Sequence, residues 1–309
     1  MRTVISNFIA AAALNNPNFY VLSGDHGYAL FDEIKKVAPT QFINVGVSEQ
    51  AMIGYAAGMI KQGLKVAVYG LSSFVPIRVI EFIKMDICYE NLPLIILGDG
   101  AGVVYSTLGA SHQCAEDIAC CRCLPNINIF SPCDAYEMEW VLSKSFHLDS
   151  PSYIRIGKGD KSLVHKNRVV LSLEEAMISV NHSSGNTICF FATGSLVSTA
   201  LEIGRKFNIS VFSFPELTNL NKYFIINSLK NFRFVFTLEE HSINGGLGSI
   251  ISEIISESDL NIKFKRIGIK NKFTQKCGSY EYAIKEHELD EINITNTVRE
   301  FCMRYNVIL

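Results

Sequence analysis

The sequence has little net charge of either sign: 28 Lys and Arg against 30 Asp and Glu leave −2. Without a basic field, neither a nucleic acid nor an acidic membrane surface is expected as a partner. Long apolar runs are also missing, and none approaches the roughly 18 residues of a membrane span. No positively charged segment precedes the apolar start as it would in a secretion signal, so a cytoplasmic location is expected. Nine Cys is an odd number, which in a chain without a secretion signal predicts free, reduced thiols rather than a disulfide framework. Cys120, Cys121 and Cys123 with Cys114 and His112 gather metal-ligating residue types. Their spacing lacks the paired pattern of a zinc site, and no metal set is expected there. No short-period repeat or low-complexity tract occurs.

What is present is an ordinary globular composition, 48% hydrophobic and 19% charged over 309 residues, enough for two α/β domains with substantial cores. Apolar, β-branched runs at 19–23, 42–47, 66–69, 93–98, 127–130 and 153–157 alternate with helical patterns at 4–14, 49–60, 77–89, 115–123 and 135–146. Alternation of this kind predicts a mostly parallel sheet covered on both faces, and the continuous run PLIILG is typical of a strand buried on both sides. Periodicity breaks down from about Asp160 to Asn186, across the charged run KGDK and the polar turn NHSSGN. A second alternation then runs through ICFFAT, ISVFSF, FVFTLEE and IKFKRIGI, with two closing helices. The expected organisation is two doubly wound domains, 1–165 and 186–309, joined by a linker at 166–185.

One stretch concentrates the chemistry. FINVGVSEQAMIGYAAGMI, residues 42–60, hands a strand over to a helix, with Ser48 at the N-cap position and a single carboxylate, Glu49, among apolar and small residues. Taken locally, Glu49 is an ordinary first-turn acid facing the helix dipole. The turn Gly24-Asp25-His26-Gly27 ends the first strand, a natural place for functional groups. The glycine-rich loop 99–113 ends on Ser111-His112-Gln113 and can bend tightly beside a ligand. Arg155 and Lys158 leave the strand PSYIRIGKG as a cationic pair suited to a phosphate or another anion.

Taken in order, INVGVSEQAMIGYAAGM, the loop ending GASHQ, LPNINIFSPCDAYEMEW, PSYIRIGKG, FATGSLVSTAL, FTLEEHSINGGLGS and RIGIKNKFTQKCGSYE resemble the C-terminal part of transketolases and deoxyxylulose-phosphate synthases. The resemblance covers nearly the whole chain. It implies a thiamine-diphosphate enzyme whose pyrimidine-binding and C-terminal domains lie here, and whose diphosphate- and Mg²⁺-binding domain belongs to a partner: the smaller subunit of a split transketolase, paired into a dimer of heterodimers. The resemblance makes Glu49 the carboxyl group that hydrogen-bonds N1′ of the cofactor, Phe74 the aromatic face for its pyrimidine, Ile77 the weaker second stacking position and Asp25 a cofactor-side residue. His112 becomes a catalytic residue at the substrate's reacting end, where imidazole suits proton transfer to and from hydroxyls. His26, Arg155 and Lys158 become substrate contacts. Gly98-Asp99-Gly100 with Asn126 and Asn128 imitates the family's metal signature, but it falls within the pyrimidine-type unit and no metal ligand is expected from it. Glu239, Glu240 and His241 resemble a packing or domain-closing segment.

The sequence departs from the family just before His112. Transketolases carry an acidic GEDGPTHQ-type sequence there, whereas this chain has Ser106-Thr107-Leu108-Gly109-Ala110-Ser111-His112 and no acid. Transfer of a two-carbon ketol unit between a ketose and an aldose is the implied activity, with an unusual or surface sugar in place of the ordinary pentose phosphates. Two other functions remain open: the β subunit of a 2-oxoacid-decarboxylating or synthase-type thiamine enzyme, and a non-catalytic paralogue.

Overall fold

The computed structural model describes residues 1–158, 163–172, 174–307 and 309. The chain starts with helix α1 (Arg2–Asn15) and strand β1 (Phe19–Ser23), then α2 (Asp32–Val37), β2 (Phe42–Asn44), α3 (Glu49–Lys61) and β3 (Lys65–Leu71). A helical stretch follows through a 3₁₀ turn (Ile77–Val79), α4 (Ile80–Phe82) and a π turn (Ile83–Cys88). Then come β4 (Ile95–Asp99), α5 (Asp117–Arg122), β5 (Asn128–Phe130), α6 (Ala135–His147) and β6 (Ser152–Ile156). These strands form one parallel sheet ordered β2-β1-β3-β4-β6-β5. The doubly wound α/β expectation holds.

The second sheet takes β7 (Ile178–Asn181), β8 (Ile188–Ala192), β9 (Ser210–Ser213), β10 (Phe234–Ser242) and β11 (Lys263–Ile269) in the order β11-β10-β8-β9-β7. Between and after these strands lie α7 (Leu196–Phe207), α8 (Lys222–Leu229), α9 (Leu247–Ser256), α10 (Tyr280–Glu286) and α11 (Glu291–Met303). All its pairings are parallel except the edge strand β7, which runs antiparallel to β9. That strand corrects the linker at 166–185, since residues 178–181 belong to the second sheet. Its pattern of partly exposed residues belongs to an edge strand with one covered face and carries no continuous apolar signal. Most of the KGDK run lies outside the described residues.

The two units do not keep separate cores. One buried cluster runs from the inner face of α3 (Met52, Ile53, Ala56) through Ile118, Cys121 and Ile129 into Cys189 and Phe191 of the second sheet. Backbone hydrogen bonds cross the same seam, from Ser131 N to Pro215 O (2.8 Å) and from Leu217 N to Ile129 O (2.9 Å). Among the described residues no helix is long and apolar enough to cross a membrane. Because β1, β2, β3, β4 and β6 are parallel, the loops after them gather at one edge, where open α/β sheets hold their ligands.

Candidate active site

Glu49 opens α3 and is 1% exposed. Ser48 occupies the N-cap position without capping: its hydroxyl turns back and donates to Val45 O (2.7 Å). The expected cap is therefore corrected, and the free end of the helix lies beside Glu49. The carboxylate Oε2 accepts from Arg78 Nη1 (3.2 Å). Its Oε1 is buried and has no hydrogen-bond partner; it faces His26 Nε2 at 3.7 Å, also buried and unpartnered. An orphaned buried acceptor is costly, and it is a vacant hydrogen-bond position for a ring nitrogen.

Around Glu49 three loops bring rings together. Phe74 follows β3 and is half-buried, with the His26 ring 5.7 Å away, tilted, and the His112 ring 5.5 Å away, edge-on. The Arg78 guanidinium carbon lies 4.0 Å over the Phe74 ring. Glu49, His26, Phe74 and His112, to which the resemblance gives roles, thus lie together, and Arg78 joins them unforeseen. Its local pattern is that of a solvent-facing helix residue. Arg78 sits in the middle of the 3₁₀ turn Ile77–Val79, and nothing in its local sequence singles it out.

The loop carrying His112 is closed at its base by paired hydrogen bonds between Gly102 and Cys114 (2.6 and 2.8 Å). Gly102 has φ +73°, and a Cβ there would meet Glu240 Oε1 at 2.4 Å, so only glycine fits beneath that carboxylate. At the tip, Ser111 Oγ and His112 Nδ1 lie 3.0 Å apart.

The remaining candidates divide. Asp25 is exposed and accepts from Asn44 Nδ2 (3.2 Å), tying the loop after β1 to β2. Ile77 is half-buried at the start of the 3₁₀ turn and offers no ring. Lys158 lines a cavity of about 440 Å³ with Arg2, Asp99 and Tyr105, its Nζ 5.4 Å from the centre of the Tyr280 ring. Arg155 does not reach an open surface and is corrected here. It is 2% exposed, donates from Nε to Asp117 Oδ2 (2.8 Å) and from Nη2 to Glu240 O (2.6 Å), and so belongs to the seam between the units. A strand-end arginine reads as a surface cation from sequence because the buried acid opposite it is 38 residues away.

The false metal signature is occupied by protein donors. Asp99 Oδ2 receives Tyr69 OH (2.6 Å), Arg2 Nη1 (3.1 Å) and Tyr105 OH (3.2 Å). Asn126 donates to Cys88 O and Asn128 to Pro151 O. These groups do not fit a Mg²⁺, which needs several converging free oxygens.

The Glu239-Glu240-His241 segment fills the seam. Glu239 accepts the backbone N–H of Leu247 (2.7 Å) and Gly248 (2.8 Å) at the start of α9. Glu240 accepts Val103 N (2.8 Å) and Tyr280 OH (2.6 Å). His241 places Nδ1 2.7 Å from Ser242 O and accepts Ala119 N (3.3 Å) at Nε2, which makes it a neutral imidazole protonated at Nδ1. Burial pushes its pKa down to about 4, with the Arg155 charge adding to that and Asp117 opposing it. Below its ordinary value of 6.5 the unfolded chain binds a proton here that the folded chain refuses, so this group's contribution falls as pH drops from 6.5 to about 4. Burial pushes Glu239 up to about 7, a cost that appears as pH rises from its ordinary 4.5 through 7. Urea unfolding between pH 4 and 7 is expected to show a shallower acid-side loss in His241→Gln than in the wild type.

Against known proteins, the model of the transketolase pyrimidine-binding domain matches residues 1–161 and that of the transketolase C-terminal domain matches 176–291. A putative transketolase C-terminal section of Methanocaldococcus jannaschii is 33% identical over 285 residues, 90% of this chain and 87% of that protein. An apulose-4-phosphate transketolase subunit of Actinobacillus succinogenes is 27% identical, covering 95% of each chain. A solved split-gene transketolase, an inactive β4 tetramer, superposes with a TM-score of 0.87 at 26% identity and 98% coverage of both chains. With both domain models matched in order over a fold of this arrangement, the chain belongs to the transketolase family.

Proposed function

We propose that this chain is the smaller subunit of a two-component transketolase, moving a two-carbon ketol unit between sugars with thiamine diphosphate and Mg²⁺. The observation that carries the reading is the buried, partnerless Glu49 Oε1 beside Phe74, His26 and His112. When bound, the cofactor supplies the carbon nucleophile that carries the ketol unit. Glu49 would hold a hydrogen bond to the cofactor's pyrimidine nitrogen N1′. Phe74 would give the ring a face to stack on, worth about 1 kcal/mol beyond burial. His112 and His26 would move protons at the donor's hydroxyls, and Lys158, in the cavity beside Arg2, would take a phosphate or another anionic group.

Acidic ligands for the diphosphate's Mg²⁺ do not converge among the described residues around Glu49, so in this proposal a partner subunit brings them. The outer face of α3 supports a docking surface. Tyr55 is 58% and Val47 73% exposed, and an apolar hollow of about 650 Å³ is lined by Ile43, Val45, Gly54, Tyr55, Gly58 and Met59. Added Cβ atoms at Gly54 and Gly58 would meet nothing within 4 Å, so another helix could approach closely. Because the hollow and Glu49 share one helix, a partner seated there would wall the cofactor pocket.

Donor identity rests on the loop before His112. Leu108, 52% exposed, stands where the family has an acid, which argues for a donor other than an ordinary pentose phosphate. The chain purified alone is expected to show no thiamine-dependent ketol transfer. Transfer should appear on mixing with a diphosphate-binding subunit, thiamine diphosphate and Mg²⁺, in a screen of ketose donors. Full activity of the isolated chain would overturn the split reading, and carbon dioxide released from a 2-oxo acid would favour the decarboxylating alternative.

A further inference from the structure

A second cluster of reactive groups lies away from the Glu49 pocket, at the start of α6. Cys133 precedes Asp134, the N-cap of that helix, and Glu137 folds back in its first turn to accept Cys133 N at Oε2 (2.7 Å). Asp134 works in two directions. Oδ1 accepts Tyr136 N and Glu137 N, while Oδ2 accepts Val164 N (3.0 Å) and His165 N (2.9 Å). The backbone of His165 is therefore fixed against the helix, and its Nε2 lies 2.8 Å from Glu137 Oε1. The Cys133 sulfur, a Glu137 carboxylate oxygen and a His165 ring nitrogen all lie within 4.8 Å of one another. Glu137 is fully buried, Cys133 is 8% exposed and the His165 side chain 10%.

We propose that Cys133, Glu137 and His165 are a zinc site that fastens the chain following the first sheet to the N-terminal turn of α6. The assignment stands independently of the thiamine reading. A sulfur, a nitrogen and an oxygen ligand suit a borderline-soft ion, and bond lengths of about 2.0–2.3 Å require neighbouring ligand atoms roughly 3.3–3.8 Å apart. From the 4.8 Å limit the sulfur needs to draw in by roughly 1–1.5 Å at most, while His165 Nε2 and Glu137 Oε1, 2.8 Å apart, need to open by roughly 0.5 Å, on a backbone that Asp134 already holds. Hard cations such as Mg²⁺ and Ca²⁺ prefer an all-oxygen set and are disfavoured by the sulfur. A thiolate and a carboxylate together neutralise Zn²⁺, which removes the cost of an unbalanced buried charge. On binding, the thiol proton leaves to solvent. The Nε2 proton that His165 shares with Glu137 moves to Nδ1, leaving Nε2 free to ligate. Three protein ligands would leave a fourth tetrahedral position for water.

The experiment uses the full chain freed of metal, with Zn²⁺ and Co²⁺ as probes. Expected are one zinc retained per chain after dialysis and, with Co²⁺, a near-ultraviolet thiolate charge-transfer band with tetrahedral visible bands. Cys133→Ala should abolish the charge-transfer band, and His165→Gln should weaken retention at least about a hundredfold, beyond what loss of an outer-shell group does. Both variants are checked for native circular dichroism without metal, and should Cys133→Ala fail to fold, His165→Gln alone decides. Cys120→Ala and Cys123→Ala should leave the signal unchanged. Zinc that washes off the wild type, a cobalt spectrum without a thiolate band, or a band that follows Cys120 or Cys123 overturns the assignment.

Discussion

Glu49→Gln is expected to lower ketol-transfer turnover of the reconstituted pair by roughly a thousandfold while leaving the chain folded, in the range lost when a positioned proton-transfer group is removed. The substitution is nearly isosteric, so the packing of α3 through Met52, Ile53 and Ala56 is undisturbed. It replaces a carboxyl group that can share a proton with N1′ by an amide that cannot. Because Arg78 loses its ion partner, a small change in stability is expected, at most about 1 kcal/mol for a pair whose cation is 42% exposed. Arg78→Ala provides the comparison. It removes the guanidinium from both Glu49 and the Phe74 face while keeping the acid, so a loss of roughly tenfold to a hundredfold is expected, as for a mispositioned group. The decisive measurement is turnover at saturating cofactor together with the thermal midpoint of each variant. Glu49→Gln with wild-type turnover would remove the carboxyl role and leave the non-catalytic paralogue as the better reading.

How much of this was legible from the residues depends on the range of the interactions involved. Strands buried on both faces, such as Ile95–Asp99 and Ile188–Ala192, announce themselves by continuous apolar runs. The short helix α2, six residues long with only Ile34 buried, has too little apolar surface to show a period and leaves no signal. Edge strand β7 escapes for the same reason. At the site, Glu49 and His112 stand out because each sits at a fixed offset in a quotable motif, whereas Phe74 is placed by the resemblance only through its position in the loop after β3. Their mutual contact depends on parallel strand order, which only the sheet supplies. Arg78 and Arg155 mark the limit. Whether a cation faces solvent or a buried acid is decided by a residue 29 or 38 positions away, and nothing in the local sequence records that distance.

Arg155 carries the second large effect, and its sign separates two roles. If Arg155 is a tie between the units, Arg155→Met should lower unfolding stability by about 3–5 kcal/mol, the usual cost of leaving one member of a buried ion pair uncompensated. Asp117 has no exposure, and its Oδ2 would keep only Tyr153 OH (2.7 Å) as a donor. Its Oδ1 already lacks a hydrogen-bond partner, with neutral His241 3.8 Å away. Glu240 O would lose its donor at the same time, loosening the strand that carries the carboxylate under Gly102. Removing the acid as well, in Arg155→Met with Asp117→Leu, should recover much of the loss, since an apolar pair of similar volume can replace a buried ion pair at little net cost. A substrate-anion role predicts the opposite pattern: unchanged stability, a raised KM for phosphorylated donors, and no rescue by the second substitution. Chemical denaturation of the single and double variants, read beside their KM values, distinguishes these outcomes, and the burial of the guanidinium makes the first the expected one.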